Sequence, residues 1–343
     1  MNTPKQNCLT GACPPIISRN MHTIKLSEGS GGREMQSLIS EVRKRFPETS
    51  AWNNLRDDAA TFPIGKEKHI VFTSDSYVVT PIFFPGGNIG KLAFCGTVND
   101  LAVIGAAPTG LSFSCILEEG FSKDEFFEII DTIASLSKQT GIPIVTGDTK
   151  VVERGGVGKI IINTSGIGIT KHILSDPIQV GDRVIVSGGI GEHGTALLAK
   201  RFELESSIET DSKPLHEELI ATGPFIKQAK DITRGGIAAI LNELAEKNDA
   251  GIAVEEELIP LHDQVRALTE ILGIDAYSLA CEGRFVCITS PKNAEKTLSI
   301  LRKFNPSASD IGKITNEKNV TIQTRYGKTL LAVPSGNIVP RIC

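Results

Sequence analysis

The sequence has no apolar run approaching the roughly 20 residues that a membrane-spanning helix needs. It has no surplus of one charge either. Lys and Arg total 36 against 40 Asp and Glu, and the net −4 gives no electrostatic case for nucleic acid or an anionic membrane. A paired-cysteine framework is also missing: the seven cysteines are odd in number and scattered, as in a reducing cytoplasm. Cys8 and Cys13 are near enough to pair or to share a metal, but no second ligand pair lies beside them. The first twenty residues hold Pro14-Pro15 and no continuous apolar core, so they do not read as an export signal. Residues 1–21 read instead as a disordered extension or an over-long start. What remains, at 40% hydrophobic and 22% charged residues in a chain of 343, suits a soluble protein of two ordinary domains.

Strands and helices alternate through the first half. Ile24 to Leu26 predicts a short strand, followed by Gly29-Ser30-Gly31-Gly32 and a helix with Met35, Leu38, Ile39, Val42 and Phe46 on one face. A Gly-rich loop opening a helix turns successive N–H groups outward, as a phosphate cradle does; glycine serves a plain tight turn equally well. Asp57-Asp58 precedes a strand from His69 to Thr73 that ends in Ser74-Asp75-Ser76. Ile89 to Gly105 is helical in pattern and carries Asn99-Asp100 in its middle. Next come a strand over Leu111 to Leu117 and an amphipathic helix over Phe121 to Thr140, closed by Gly141. A short strand, Ile142 to Val145, leads out into Thr146-Gly147-Asp148-Thr149-Lys150, and Ile160 to Thr170 is another strand. This alternation argues α/β or α+β layering.

Composition breaks at Ser175-Asp176-Pro177, which divides the chain into an N-terminal domain over 22–172 and a C-terminal α/β domain over 173–330. The second half opens with a strand from Arg183 to Val186 and continues into a long helical region with charged faces. Then come Asp231-Ile232-Thr233-Arg234-Gly235-Gly236 and a helix with Ile237, Ile240, Leu241 and Leu244 on one side. Cys281-Glu282-Gly283 precedes a strand over Arg284 to Thr289; a helix over Lys292 to Phe304 and a strand over Val320 to Thr324 complete the pattern. Gly189-Ile190-Gly191-Glu192-His193-Gly194 matches the G-x-G-x-x-G dinucleotide fingerprint. That unit also needs a second parallel strand ending in an acid some 20 residues on. The charged stretch Glu203 to Asp211 offers no such strand.

Two features carry chemistry. The first is a series of aspartates, Asp58, Asp75, Asp100, Asp148 and Asp231, each after a strand or at a turn and interleaved with glycine. Singly they are caps or turn residues. Converging, they would repel by roughly 1–4 kcal/mol per close pair and need a cation. Oxygen-only ligands favour magnesium, which comes with nucleotide phosphates. The second feature is the end of the chain, residues 331–343, where Gly336 and Pro340 frame a movable arm finishing in Cys343. Arg341 would lower the thiol pKa and the terminal carboxylate would raise it. Prenylation is excluded, since it needs Cys four places from the end.

Gly29-Ser30-Gly31-Gly32, Thr73-Ser74-Asp75-Ser76, Val98-Asn99-Asp100-Leu101, Thr146-Gly147-Asp148-Thr149-Lys150 and Asp231-Ile232-Thr233-Arg234-Gly235-Gly236 together resemble the aminoimidazole ribonucleotide synthetase (PurM-like) superfamily. Within it, the Pro340-Arg341-Ile342-Cys343 ending resembles the carbamoyl dehydratase branch of [NiFe]-hydrogenase maturation, over about residues 22–343. The resemblance implies two α/β domains, N-terminal domains that join two chains into a dimeric β-barrel, and a flexible C-terminal tail. It implies ATP and Mg2+ held by Gly29, Ser30, Gly31, Gly32, Asn99, Thr149 and the five aspartates. It implies that a separate carbamoyltransferase, HypF, loads Cys343, that water is removed to leave a thiocyanate, and that a HypC–HypD complex carrying iron accepts the cyanide. Glu282 is then the first candidate for general base, and Lys150 for neutralising the oxygen or relaying a proton. Glu28 stands where relatives commonly have His, and Glu192 where Asp is usual.

Overall fold

The structure, a computed structural model, describes residues 23–47, 49–335 and Ile342. Cys343, Cys8, Cys13 and the extension over 1–21 lie outside the described residues. The first half begins with helix α1 (Arg33–Arg43), preceded by a 3-10 turn at Leu26–Gly29 where the sequence predicts a strand. Glu28 ties that turn to its own start by accepting from the Lys25 N–H at 2.6 Å, a local bond that competes with strand pairing. Strands β1 (Ala60–Ile64) and β2 (Lys68–Tyr77) form a hairpin, and the two-residue strands β3 (Phe83–Phe84) and β4 (Gly87–Asn88) form another. Helix α2 (Ile89–Val103), β5 (Ala107–Glu118), α3 (Lys123–Thr140), β6 (Ile144–Val152) and β7 (Ile160–Thr170) follow. The sheet order is β1-β2-β7-β5-β6. Only β5 and β6 run parallel, because the intervening α3 makes the crossover that a parallel pair requires.

The second half is a seven-stranded sheet with its own helices. In chain order it has β8 (Arg183–Val186), α4 (Glu192–Arg201), α5 (His216–Thr222), β9 (Ile226–Asp231), α6 (Gly236–Lys247) and β10 (Gly251–Glu255). Then come α7 (Asp263–Leu272), β11 (Phe285–Thr289), α8 (Pro291–Phe304), β12 (Ser309–Thr315), β13 (Val320–Thr324) and β14 (Gly327–Leu330). The strands are ordered β14-β13-β10-β12-β8-β11-β9. Among the described residues no helix is long and apolar enough to cross a membrane.

Two sequence readings are corrected here. Thr146 to Lys150 does not leave the sheet but forms the middle of β6, held by parallel pairing from Ser112–Thr146 to Glu118–Val152. The stretch between Val186 and Asp231, read as a long helical region, holds two short helices and strand β9. Polar partners elsewhere in the fold explain the strand. Lys227 pairs with Asp182 at 2.7 Å, Lys230 with Asp58, and Gln228 exchanges amide bonds with Asn248, so the charges of β9 are satisfied inside the fold.

Helix α2 joins the halves. Every residue in it but Lys91 is buried, Asn99 and Asp100 included, as expected of a helix enclosed on every side. Asn88 caps it, its side-chain oxygen accepting from the N–H groups of Gly90 and Lys91. Ile89, Leu92, Phe94, Val98 and Leu101 fill the core of the first half. Ala102 and Val103 join Leu174, Ile185, Leu219 and Phe285 in a core that belongs mostly to the second. At about 1.5–3 kcal/mol for each large side chain buried, this helix holds the two halves in one orientation. Asn99 adds a polar clamp: its amide donates to the carbonyls of Lys213 (3.1 Å) and Glu282 (3.2 Å) and accepts from Leu215 N–H (2.8 Å).

Candidate active site

The acids meet where α2 lies against the two sheets. On β2, Val71, Thr73 and Tyr77 point inward by strand alternation, and Asp75 belongs to that same face. Asp100 comes from α2, Asp58 from the turn before β1, Asp231 from the last position of β9, and Glu282 from the loop before β11. These five carboxylates, with Tyr77, Gly96, Thr233 and Arg234, line a cavity of about 150 Å³ between the halves.

Burial and mutual repulsion govern the cavity. Burial pushes Asp100 well above the usual carboxylate range, and the charges of Asp75, Asp231 and Asp58 push it further. Asp231 is raised by burial and by Asp58, against the pull of Lys230; Asp75 is raised by burial, against Arg234. Glu282 is raised well above its ordinary value by burial, then by Asp231 and Asp211, with Arg234 opposing. Lys230 bridges Asp58 and, at 3.3 Å, Glu243. Burial alone would lower its pKa, but these carboxylates outweigh burial and raise it. The site thus holds more buried acid than base, and among the described residues no three His, Cys, Asp or Glu side chains are arranged, as they stand, to hold a metal ion. Oxygen donors that repel one another suit a hard cation such as magnesium, so the donor set fits one.

Hydroxyls fix the acids in place. The Thr73 hydroxyl lies 2.7 Å from Asp100 Oδ2 and 3.0 Å from the Asp58 carbonyl, so one side chain couples two of the acids. Tyr77 donates to Asp75 Oδ2 at 3.2 Å. Room for that phenol comes from Gly96 in mid-helix, where a Cβ would overlap the Tyr77 hydroxyl. Glu282 is held through its backbone: Asp211 accepts from the N–H groups of Glu282 (3.1 Å) and Gly283 (3.2 Å), while Asn99 donates to the Glu282 carbonyl. The Glu282 carboxyl stays uncommitted. Its Oε1 is buried without a hydrogen-bond partner, as suits a group kept for proton transfer.

The remaining predicted residues are placed as follows. Gly31 and Gly235, both at positive φ, pack backbone to backbone, which docks the Gly-rich loop onto the Arg234–Gly235 turn beside the cavity. The Gly31 N–H meets Met35 Sδ at 3.3 Å, the Ser30 hydroxyl donates to Leu26 O at 3.1 Å, and Gly32 faces the carbonyl of Pro334. Gly29 has open space around it. Within one chain, Asp148, Thr149 and Lys150 do not join the cavity. They lie on the edge strand β6, and β5 and β7 separate it from β2, an offset of about 14 Å at the usual strand spacing. Asp148 pairs with Lys150 at 3.0 Å in solvent, which holds its carboxyl below the usual range. Thr149 is exposed, and its hydroxyl accepts from the buried Cys115 thiol at 3.7 Å. Asn99 sits beside the cavity, but its amide is committed to backbone groups of the second half.

Cys95, Cys115, Cys281 and Cys287 are buried thiols. Cys281, next to Glu282, accepts from the Gly191 N–H at 3.1 Å, and burial drives its pKa up, so it is inert packing.

Residues 56–170 match the family of the AIR synthase related protein N-terminal domain, and residues 179–325 match that of its C-terminal domain. Over 335 residues the chain is 41% identical to the carbamoyl dehydratase HypE of Rhizobium leguminosarum bv. viciae, spanning 93% of this chain and 95% of that protein. This chain belongs to the HypE family of carbamoyl dehydratases. Among solved HypE structures, the one in a HypE–HypF complex matches with a TM-score of 0.80 at 38% identity, covering 87% of this chain and 100% of that one. A HypE crystallised with ATP matches at 0.77 and 36% identity, covering 94% and 100%. The PurM-like two-domain α/β fold inferred from the motifs is therefore the fold of a HypE protein.

Several site residues escaped the sequence reading. Lys230 adjoins Asp231 and Arg234 lies within the quoted Asp231 motif, yet neither spacing nor residue type marks them as the cations of the cavity. Gly96 and Asp211 left no signal, because they act on Tyr77 and on the Glu282 segment across long sequence separations, and Tyr77, two residues from Asp75, reads as an ordinary strand aromatic.

The raised acids give a stability test. With divalent cations chelated, the folded state keeps protons that the unfolded chain releases above about pH 4. This contribution is fully present below that range and is lost as pH rises through the raised folded values. Denaturant midpoints in EDTA should fall as pH rises above the ordinary carboxylate range. Burial lowers the pKa of His193 and His216, and these groups act in the opposite sense. Asp100→Asn removes one carboxylate and leaves the histidines, so it should flatten the fall. A profile that Asp100→Asn leaves unchanged would contradict the repulsion.

Proposed function

We propose that this chain uses ATP to remove water from a carbamoyl group carried on Cys343, leaving a thiocyanate. The observation that carries this reading is the cavity between the halves lined by four aspartates and Glu282, whose Oε1 is buried without a hydrogen-bond partner. The HypE structure with ATP and the HypE–HypF complex support ATP as co-substrate and HypF as the protein that loads the thiol. A HypC–HypD complex bearing iron is the acceptor this reading assigns to the cyanide.

Amide oxygen is a poor leaving group, which is why ATP belongs here. The carbamoyl oxygen attacks the γ-phosphorus and ADP departs. Nitrogen then gives up its protons, the C–O bond breaks, and phosphate leaves with the former amide oxygen. The net change converts S-carbamoyl and ATP into thiocyanate, ADP and phosphate. Asp75, Asp100 and Asp231, with Asp58 once it is shared with Lys230, are the residues that would hold magnesium; bound there, it would neutralise phosphate oxygens. Glu282, with its raised pKa and an Oε1 that no hydrogen bond holds, takes the amide protons, and the Arg234 charge favours its ionised form. The mobility of the arm over 331–343 belongs to this proposal, since one thiol must meet first HypF and then the cavity.

A homodimer completes the reading. The outer face of the first sheet leaves Phe72, Ile167 and Ile169 about two-fifths exposed. Such a face on an antiparallel sheet calls for a second layer, and two copies closing into a barrel would supply it. The Asp148 row, running through Ser114 and Asn163 to Ser76 beside Asp75, would then be enclosed with it. Asp148, Thr149 and Lys150 of the second copy thereby gain a route to the phosphates that they lack in one chain.

Two measurements check these proposals. Full-length protein given HypF, carbamoyl donor and ATP should yield a C-terminal peptide lighter by one water. Glu282→Gln should slow that loss by about 10²–10⁴-fold with ATP affinity intact; carbamoyl adduct that persists while wild type consumes ATP would refute the dehydration. Ile167→Arg should convert a sedimenting dimer to monomer and abolish ATP turnover. A variant that stays dimeric would remove this sheet face from the interface.

A further inference from the structure

Ile342, the residue before the carrier thiol, is buried at 6% exposure and belongs to the apolar cluster that also holds Leu197, Leu198, Leu279 and Ala280. Gly194 borders its seat: a Cβ there would come within 3.4 Å of Ile342 Cδ1. The Ile342 carbonyl lies 2.9 Å from His193 Nε2. A carbonyl can only accept, so Nε2 carries the proton, and Nδ1, left bare, accepts from the Thr210 hydroxyl at 2.7 Å. Thr210 is itself pinned, its N–H donating to Pro85 O and its hydroxyl oxygen accepting from Ser212 N–H. Phe84 meets the imidazole edge-on at 5.4 Å. His193 is fully buried, which lowers its pKa and favours this neutral tautomer.

The seat is joined to the cavity through the backbone. Gly194 N–H donates to Ala280 O at 3.0 Å, and Gly191 N–H to Cys281 Sγ, so the start of α4 grips the two residues before Glu282. We propose that His193 is the positioning residue for the reactive terminus: it holds the carbonyl of the peptide bond joining Ile342 to Cys343, while the Ile342 side chain fixes how much of the arm enters the site. The carbonyl carries no information about what the thiol bears, so the same seat serves free and loaded arms. The inference deepens the reading of Cys343 as carrier.

The test needs neither ATP nor carbamoyl donor, so its failure is distinct from failure of the dehydratase reading. Full-length protein is treated with N-ethylmaleimide, and alkylation of Cys343 is followed on the C-terminal peptide by mass spectrometry. His193→Leu removes the donor and should raise the rate on the order of tenfold, equivalent to 1.4 kcal/mol. His193→Gln, whose amide nitrogen can donate from a similar position, should return it close to wild type. Ile342→Ala empties the seat without touching the histidine and should also raise the rate, which keeps the test open if the leucine variant misfolds. Wild-type Cys343 reacting as fast as a free peptide of the same sequence would overturn the proposal, as would rates unchanged in both His193→Leu and Ile342→Ala. A glutamine variant that behaves like leucine would overturn the hydrogen-bond assignment.

Discussion

The structure depends on crowding buried acid around one small cavity. Asp58, Asp75, Asp100, Asp231 and Glu282 converge from a loop, a strand, a helix, a second strand and a second loop, and Lys230 and Arg234 do not balance them. Such an arrangement costs stability in the empty protein, because each carboxylate is desolvated and repelled by the next. It persists because α2 and the two sheets fix the positions independently. The same excess of charge gives the site its appetite for a cation and for the phosphates that travel with one.

Around that constraint the fold divides its labour. Helix α2, buried on all sides, supplies Asp100 to the cavity and Asn99 to the second half in consecutive positions. Their side chains diverge by about 100° around the helix axis, so one faces the acids while the other ties down the backbone of Lys213, Leu215 and Glu282. Asp211 fixes the other end of the Glu282 segment, and the start of α4 holds Ala280 and Cys281. Glu282 therefore has a rigid main chain and an unattached carboxyl, a combination suited to proton transfer.

Much of this was legible in the sequence, and the exceptions have causes. The apolar strands at Ile160–Thr170, Arg183–Val186 and Val320–Thr324 declare themselves, since their alternation or branched residues leave no other reading. Strand β9 was hidden because Lys227, Gln228 and Lys230 look solvated until their partners are brought in by the fold. The aspartate motifs pointed to an acidic site, but spacing could not reveal that Asp148 lies on an edge strand while Asp231 is fully enclosed. Asn99 and Asp100 read as one motif and do two jobs. His193 sat in a glycine pattern that resembles a dinucleotide loop; its contact with Ile342 spans 149 positions and has no local signature.

Calorimetric titration of the full-length protein with ATP, in magnesium and again in EDTA, bears most directly on the account. Buried carboxylates lacking a counter-ion should repel a bare triphosphate and welcome a chelated one. Affinity should therefore drop by at least about tenfold, or 1.4 kcal/mol, when magnesium is removed. Equal affinity in both buffers would mean that the acids do not face the nucleotide, and the central claim would fail.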